Sequence, residues 1–171
     1  MAEERAHRVA IALGSNQGDR LAHLRDAVEA IEASGLLGAM RVSGAYETPP
    51  ESPGDGEAFL NAAVSGDSLA TPRDLLRRLL AIESSLGRVR APGVQGGPRT
   101  IDLDLVLHGS CIASEPGLQV PHPRFTSRAF VMVPLAEIEP DLLEPRSGRR
   151  IHSLLAALAP TSLPRVGSLR K

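Results

Sequence analysis

Seven residues, Ile101-Asp102-Leu103-Asp104-Leu105-Val106-Leu107, constrain this chain more than any other stretch. Apolar residues at 101, 103, 105 and 107 alternate with Asp102 and Asp104. Successive side chains of a strand point to opposite faces, so the pattern predicts a strand with leucines toward a core and both carboxylates on the other face. Residues two apart on a strand sit about 7 Å apart at Cα. At that separation two ionised carboxylates repel unless a cation or full solvation offsets the charge. Hard oxygen ligands on a stiff strand suit Mg²⁺. The plain alternative for a lone Asp-x-Asp is an edge strand with a solvated polar face.

The preceding loop adds the opposite charge. Arg88, Arg90 and Arg99 bracket a Gly/Pro-rich segment that runs straight into the strand. Arginine presents a planar fork that matches phosphate oxygens. A dicarboxylate beside several guanidiniums is what a polyphosphate carrying Mg²⁺ requires, whereas a solvated basic loop is the bland reading. Gly14-Ser-Asn-Gln-Gly18 is glycine-rich but no Gly-Lys-Ser/Thr follows, so it is not a P-loop. Any phosphate would be held by side chains and metal.

Around this segment the chain alternates strands and helices. Val9–Leu13 reads as a buried strand closed by Gly14. Leu21, Leu24, Val28 and Ile31 form a helical stripe from about Arg20 to Ser34-Gly35. Met40–Glu47 and Phe59–Gly66 read as strands, separated by Thr48-Pro49-Pro50 and a Ser-Pro-Gly-Asp-Gly loop. Thr71-Pro72-Arg73-Asp74 starts a second helix, with Thr71 as cap and Asp74 near the positive dipole end, and Gly87 ends it. Two strand-helix-strand halves predict an α+β, ferredoxin-like split βαβ sandwich: a mostly antiparallel sheet with helices packed on it. Beyond Gly109 we expect a short strand pair, a partly helical 126–137 limited by Pro134, and a helix at 151–158. The whole chain, 1–171, reads as one domain, with a poorly ordered tail at 159–171.

Composition excludes several classes. With 19 basic and 20 acidic residues, nucleic acid and anionic membranes are not the expected partners. No apolar run reaches membrane-spanning length, and the charged N-terminus lacks a hydrophobic signal core, which fits a cytoplasmic protein. The single cysteine, Cys111, cannot form an intrachain disulfide and reads as a small structural residue. Aromatics are scarce: Tyr46, Phe59, Phe125 and Phe130, with no Trp. The core must be aliphatic, and all four rings lie in motif-like segments, which favours ligand stacking. Asn61 interrupts an apolar strand; a buried amide needs partners, either internal or on a planar, amide-rich ligand. His122, held between two prolines, could donate to phosphate or be merely structural.

Together these residues resemble the 6-hydroxymethyl-7,8-dihydropterin pyrophosphokinase family of the folate pathway. The resemblance spans about residues 9–142. It rests on Ala12-Leu-Gly-Ser-Asn16, Tyr46-Glu-Thr-Pro-Pro50, Phe59-Leu-Asn-Ala-Ala-Val64, Ile82-Glu83 with Gly87-Arg-Val-Arg90, Gly97-Pro-Arg-Thr-Ile-Asp-Leu-Asp104, and Val120-Pro-His122 with Arg128-Ala-Phe130. It implies transfer of pyrophosphate from ATP to the pterin hydroxymethyl group, giving AMP. It also implies two Mg²⁺ ions on Asp102 and Asp104, and Arg88 and Arg99 acting with them in catalysis. Glu83, Arg88, Arg99, His122 and Arg128 would serve ATP. Thr48, Pro49, Pro50, Phe59, Asn61 and Phe130 would hold the pterin. Residues 50–58 and 88–98 would be mobile lids, and a monomer is expected. The chain departs from the family pattern at Ala91, Gly96, Gly117 and Gln119, which bear on lid closure and nucleotide contacts. An RNA-binding module of this fold would need a basic, aromatic sheet face, and a small-ligand regulatory domain would not need Asp-x-Asp beside arginines.

Overall fold

A computed structural model describes residues 5–50, 52–54, 56–89, 92, 99–158 and 162–170. The elements in chain order are β1 (His7–Ser15), α1 (Arg20–Ala33), β2 (Gly38–Val42), β3 (Gly44–Thr48), β4 (Phe59–Ser68), α2 (Pro72–Ser85), β5 (Asp102–His108), β6 (Ala113–Glu115), β7 (Leu118–Val120), α3 (Ala129–Ile138), α4 (Ile151–Ala157) and β8 (Arg165–Ser168). The main sheet runs β5-β1-β4-β3-β8, with β2 also on β4, and every pairing in it is antiparallel. Counting β2 and β3 as one interrupted strand, this is the split βαβ order expected from the sequence. The small β6–β7 hairpin also matches expectation.

Local chemistry explains the helix limits. Asp19 caps α1 by accepting from Ala22 N at 3.0 Å, and Thr71 caps α2 by accepting from Asp74 N at 3.2 Å. Gly87 follows α2 at φ +84, a left-handed position that a side chain would strain. The expected single strand 40–47 is instead two. Ser43 donates its amide to Ala63 O at 2.9 Å, while its hydroxyl accepts from Ala63 N at 2.8 Å in place of a backbone carbonyl. That substitution interrupts the ladder, so β2 and β3 meet β4 separately.

The sheet has a core on each face. Val9, Ile11, Leu13, Leu60, Ala62, Val64, Leu103 and Leu105 face α1 and α2, joining Leu24, Val28, Ile31, Leu75 and Leu79. Ala10, Ala63, Val106 and Leu107 face the other way, with Phe125, Met132, Leu135 and Ile151 from the α3–α4 layer. Two expectations are corrected here. Leu107 does not share the face of Leu103 and Leu105, because the β1–β5 register slips between Ala10 and Ile11 and a bulge re-aims it. The 159–171 tail is not simply loose: Arg165–Ser168 forms β8 on the β3 edge, and Leu169 is buried in the first core. Its apolar content is small, but unpaired backbone groups along β3 supply the partners that composition does not reveal.

Candidate active site

β1 lies between β5 and β4, and the register fixes the site. Gly14 pairs with Asp102 on one side and with Asn61 on the other. Paired residues of neighbouring antiparallel strands project to one face, so Asp102, the bare backbone of Gly14 and Asn61 form one row across the sheet. Tyr46 continues the row on β3, opposite Asn61. This is the α3–α4 face, and α3 packs on β4, β3 and β1 rather than over β5. The side chain missing at Gly14 leaves a trough along the row between Asp102 and Asn61. A Cβ placed on Gly14 would meet Asn61 Oδ1 at 3.4 Å and Phe59 Cδ1 at 3.6 Å, so the space above Gly14 is bounded by the amide and the ring.

The β5 end is crowded with charge. Arg88 donates to Asp102, to Glu83 Oε1 at 2.9 Å and to Ile101 O at 3.3 Å. Arg99 Nη1 reaches the second oxygen of Asp102 at 2.8 Å. Glu83 is 1% exposed on α2, and its Oε1 also accepts from Leu103 N at 2.7 Å. One buried carboxylate therefore fixes both an arginine and the start of β5. Asn16 does the same for Arg99: its side-chain oxygen accepts from Arg99 N at 2.6 Å, and its own amide donates to Arg99 O at 3.1 Å.

Asp104 contrasts with Asp102. Among the described residues no ion-pair partner stands against it within 4 Å. Burial first, and then the charges of Asp102 and Glu83, push its carboxyl up to about 7, against the pull of Arg88 and Arg99. A carboxylate in that condition gains from a cation. The described residues contain no group of three or more His, Cys, Asp or Glu side chains that would enclose a metal. Two carboxylates on one strand face therefore fit an ion that takes its other ligands from water and phosphate, the habit of Mg²⁺ rather than of Zn²⁺.

His122 is held through its backbone: its amide donates to Val106 O at 2.9 Å, beside β5. Burial, then the positive charges of Arg128 and Arg124, lower its pKa, with Asp102 acting the other way. Arg128 stands at the N-cap position of α3, with its guanidinium carbon 5.5 Å from the Phe130 ring centre. A cleft of about 200 Å³ opens beside Asp104 and His122, lined also by Leu76, Gln119, Val120 and Pro123. Apolar walls beside a charged floor suit a flat heterocycle attached to phosphates.

At the β4 end, Asn61 is 5% exposed and donates from Nδ2 to Thr48 Oγ1 at 2.7 Å. That contact orients the amide and leaves Oδ1 over the trough beside Gly14. Phe59 and Phe130 are both half-buried, and no ring contact joins them among the described residues. Pro49 and Pro50 follow β3, with Pro49 exposed. Phe125 is not a ligand ring: it is 2% exposed in the second core. Tyr46 is engaged too, donating to Glu137 Oε2 at 2.6 Å. The expectation that all four rings favour stacking on a ligand therefore holds for neither of these two.

The structure thus brings together Glu83, Arg88, Arg99, Asp102, Asp104 and His122 at one end, and Thr48, Phe59 and Asn61 at the other. Arg90, Ala91 and Gly96 lie outside the described residues. Gly14, Asn16, Leu76 and Val120 were not singled out as site residues by the sequence. Gly14 and Asn16 lie inside a quoted motif, but register gives Gly14 its role and the hydrogen bonds to Arg99 give Asn16 its own. Leu76 reads as an ordinary core position, and Val120 lies in a quoted motif without a role of its own.

Known proteins resemble this chain closely. The family profile of 7,8-dihydro-6-hydroxymethylpterin-pyrophosphokinase matches residues 10–140. A 2-amino-4-hydroxy-6-hydroxymethyldihydropteridine pyrophosphokinase of Methylorubrum extorquens is 43% identical over 159 residues, covering 93% of this chain and 98% of the relative. One from Pseudomonas aeruginosa is 41% identical over 150 residues, covering 88% and 91%. Among solved structures, wild-type Plasmodium falciparum HPPK-DHPS superposes with a TM-score of 0.69 at 13% identity, over 91% of this chain and 45% of that one, a likeness of fold.

Proposed function

The chain belongs to the 7,8-dihydro-6-hydroxymethylpterin-pyrophosphokinase family, and from that premise we propose how its residues carry the reaction. The activity is pyrophosphoryl transfer to the hydroxymethyl group of 6-hydroxymethyl-7,8-dihydropterin, with ATP as co-substrate, in folate biosynthesis. The observation that carries the site assignment is the row Asp102–Gly14–Asn61. Two inter-strand spacings, roughly 10 Å, separate a carboxylate from an amide across a strand without a side chain. The acceptor heterocycle lies at the Asn61 end, with its polar edge on the amide and its ring against Phe59 and Phe130. Its hydroxymethyl arm crosses Gly14 toward β5.

The triphosphate lies at the β5 end, with the base in the cleft beside Leu76 and Val120. Arg88 and Arg99 now neutralise Asp102. On substrate binding they turn to phosphate oxygens and free Asp102, which together with Asp104 would hold two Mg²⁺ ions. When bound, Mg²⁺ supplies neutralisation of charge along the triphosphate. Glu83 keeps Arg88 close while it changes partner. His122 and Arg128 contact the nucleotide phosphates. The expected lids at 50–58 and 88–98 fall in part outside the described residues, which lack 51, 55, 90, 91 and 93–98. Transfer to a primary alcohol depends on in-line positioning and charge stabilisation rather than on a covalent nucleophile, so the site needs no activated Ser or Cys.

The test is AMP release. With ATP, pterin and Mg²⁺, AMP and pterin diphosphate form in equal amounts; omitting pterin or adding a chelator stops both. AMP formation that persists in chelator, or without pterin, overturns the assignment.

A further inference from the structure

The C-terminal strand lies beyond the 10–140 family match, yet it is tied to the wall of the acceptor pocket. β8 pairs with β3 as Gly44↔Ser168, Ala45↔Gly167 and Tyr46↔Arg165, and Glu47 N donates to Pro164 O at 2.9 Å. Its far end is fastened as well: Ser168 O accepts from Arg25 at 3.2 and 3.0 Å, and Leu169 is buried in the core.

Arg165 lies flat on Gly44. A Cβ at Gly44 would come within 2.3 Å of Arg165 Nε and 2.6 Å of Cζ, so a side chain there would push the guanidinium from this place. The guanidinium faces Glu137 of α3, Nη2 to Oε1, at 3.5 Å. Glu137 also accepts from Gly44 N at 3.2 and 3.1 Å and from the Tyr46 hydroxyl at 2.6 Å. One carboxylate thus joins α3, β3 and β8.

Two arms lead from this junction to the pocket. Along α3, Phe130 lies seven residues before Glu137, two turns away on the same helix face. Along β3, Tyr46 leads to Thr48, whose hydroxyl accepts from Asn61. We propose that Glu137 and Arg165 are positioning residues that set the gap between Phe130 and the Asn61–Thr48 wall, and so the fit of the pterin. The inference rests on the reading of that gap as the acceptor site. Neither residue touches the acceptor; each acts through the element it holds.

The experiment compares Arg165→Ala and Glu137→Gln, each in the full chain, with Asn61→Ala as a direct-contact control. Steady-state kinetics are measured with each substrate varied. Both positioning variants raise the KM for pterin about tenfold, while kcat and the KM for MgATP stay within about twofold, and Arg165→Lys recovers part of the loss. Unchanged pterin KM in both variants, or equal rises in both KM values, overturns the proposal. Should Arg165→Ala not fold, the isosteric Glu137→Gln decides alone. If Asn61→Ala also leaves the pterin KM unchanged, the acceptor assignment itself falls, which separates that failure from the failure of the junction.

Discussion

The two ends of the trough are built by opposite means. The β5 end concentrates charge within a short span of sequence: Arg99, Asp102 and Asp104 lie within six residues, and Glu83 and Arg88 precede them by one loop. Glu83, Arg88, Arg99 and Asp102 are ion-paired there, and the proposed mechanism has the two arginines change partners when ligand arrives. The β4 end is assembled from β1, β3, β4, α3 and β8, with its charges at the Glu137–Arg165 junction rather than against Asn61. Its geometry depends on strand register and on hydrogen bonds made well away from the ligand. Phosphoryl chemistry needs dense charge, whereas recognition of a flat amide heterocycle needs a fixed gap. Substitutions at the first end should therefore reduce kcat, and those at the second should raise the acceptor KM.

The largest departure expected is at Asp104. Asp104→Ala lowers turnover about a hundred- to thousandfold, the scale of removing a main electrostatic stabiliser. Stability should hold or rise, because this carboxyl is pushed up to about 7 by burial and by like charges rather than by stabilising partners. AMP release together with a thermal melt checks both halves. Near-normal AMP formation in a folded variant would sink the metal assignment.

Next comes Glu83. Glu83→Ala leaves Arg88 without its 2.9 Å partner and the Leu103 amide without its 2.7 Å acceptor. Breaking a buried pair costs on the order of 3 kcal/mol. A denaturant titration should show that loss together with reduced kcat, at a residue proposed to act through Arg88. A fall in kcat with an unchanged unfolding midpoint would mean Glu83 acts on the substrate directly.

The same contrast explains what could be read from the sequence. The β5 end was legible because Asp102 and Asp104 alternate with leucines on one strand and Arg99 is a near neighbour. The split βαβ order was legible because Thr71, Pro72 and Gly87 mark the helix limits in the sequence. Gly14 was legible only as a strand end, since its pairing with both Asp102 and Asn61 is a matter of register. Phe125 was misread because scarcity of aromatics says nothing about which ring the second core takes. β8 was missed because four residues with two prolines upstream have no hydrophobic pattern; their place is set by the free edge of β3.

A smaller effect tests the bare position between the two ends. The Cβ of Gly14→Ala fits the protein at ordinary contact distances of 3.4 and 3.6 Å, so stability should change little. It would occupy the path of the hydroxymethyl arm, and one methyl in a fitted pocket is worth about tenfold or more in discrimination. The pterin KM should rise by that factor with MgATP affinity unchanged. Equal effects on both substrates would erase the distinction between the ends.

The smallest effect is spectroscopic. Tyr46 is the only tyrosine and there is no tryptophan, so absorbance at alkaline pH reports this phenol alone. Burial first, and then the hydrogen bond and charge of Glu137, raise its pKa above 10.0, while Arg165 pulls it down. Glu137→Gln should move the titration lower and Arg165→Ala should move it higher, opposite shifts from two members of one junction. A raised folded-state pKa contributes stability that is fully present below the ordinary phenol value of about 10 and is lost as pH rises through the folded one. The wild-type chain should therefore lose stability more steeply above that pH than Glu137→Gln does. Parallel shifts in both variants would mean that Tyr46 senses general loosening of the β3 edge rather than Glu137 itself.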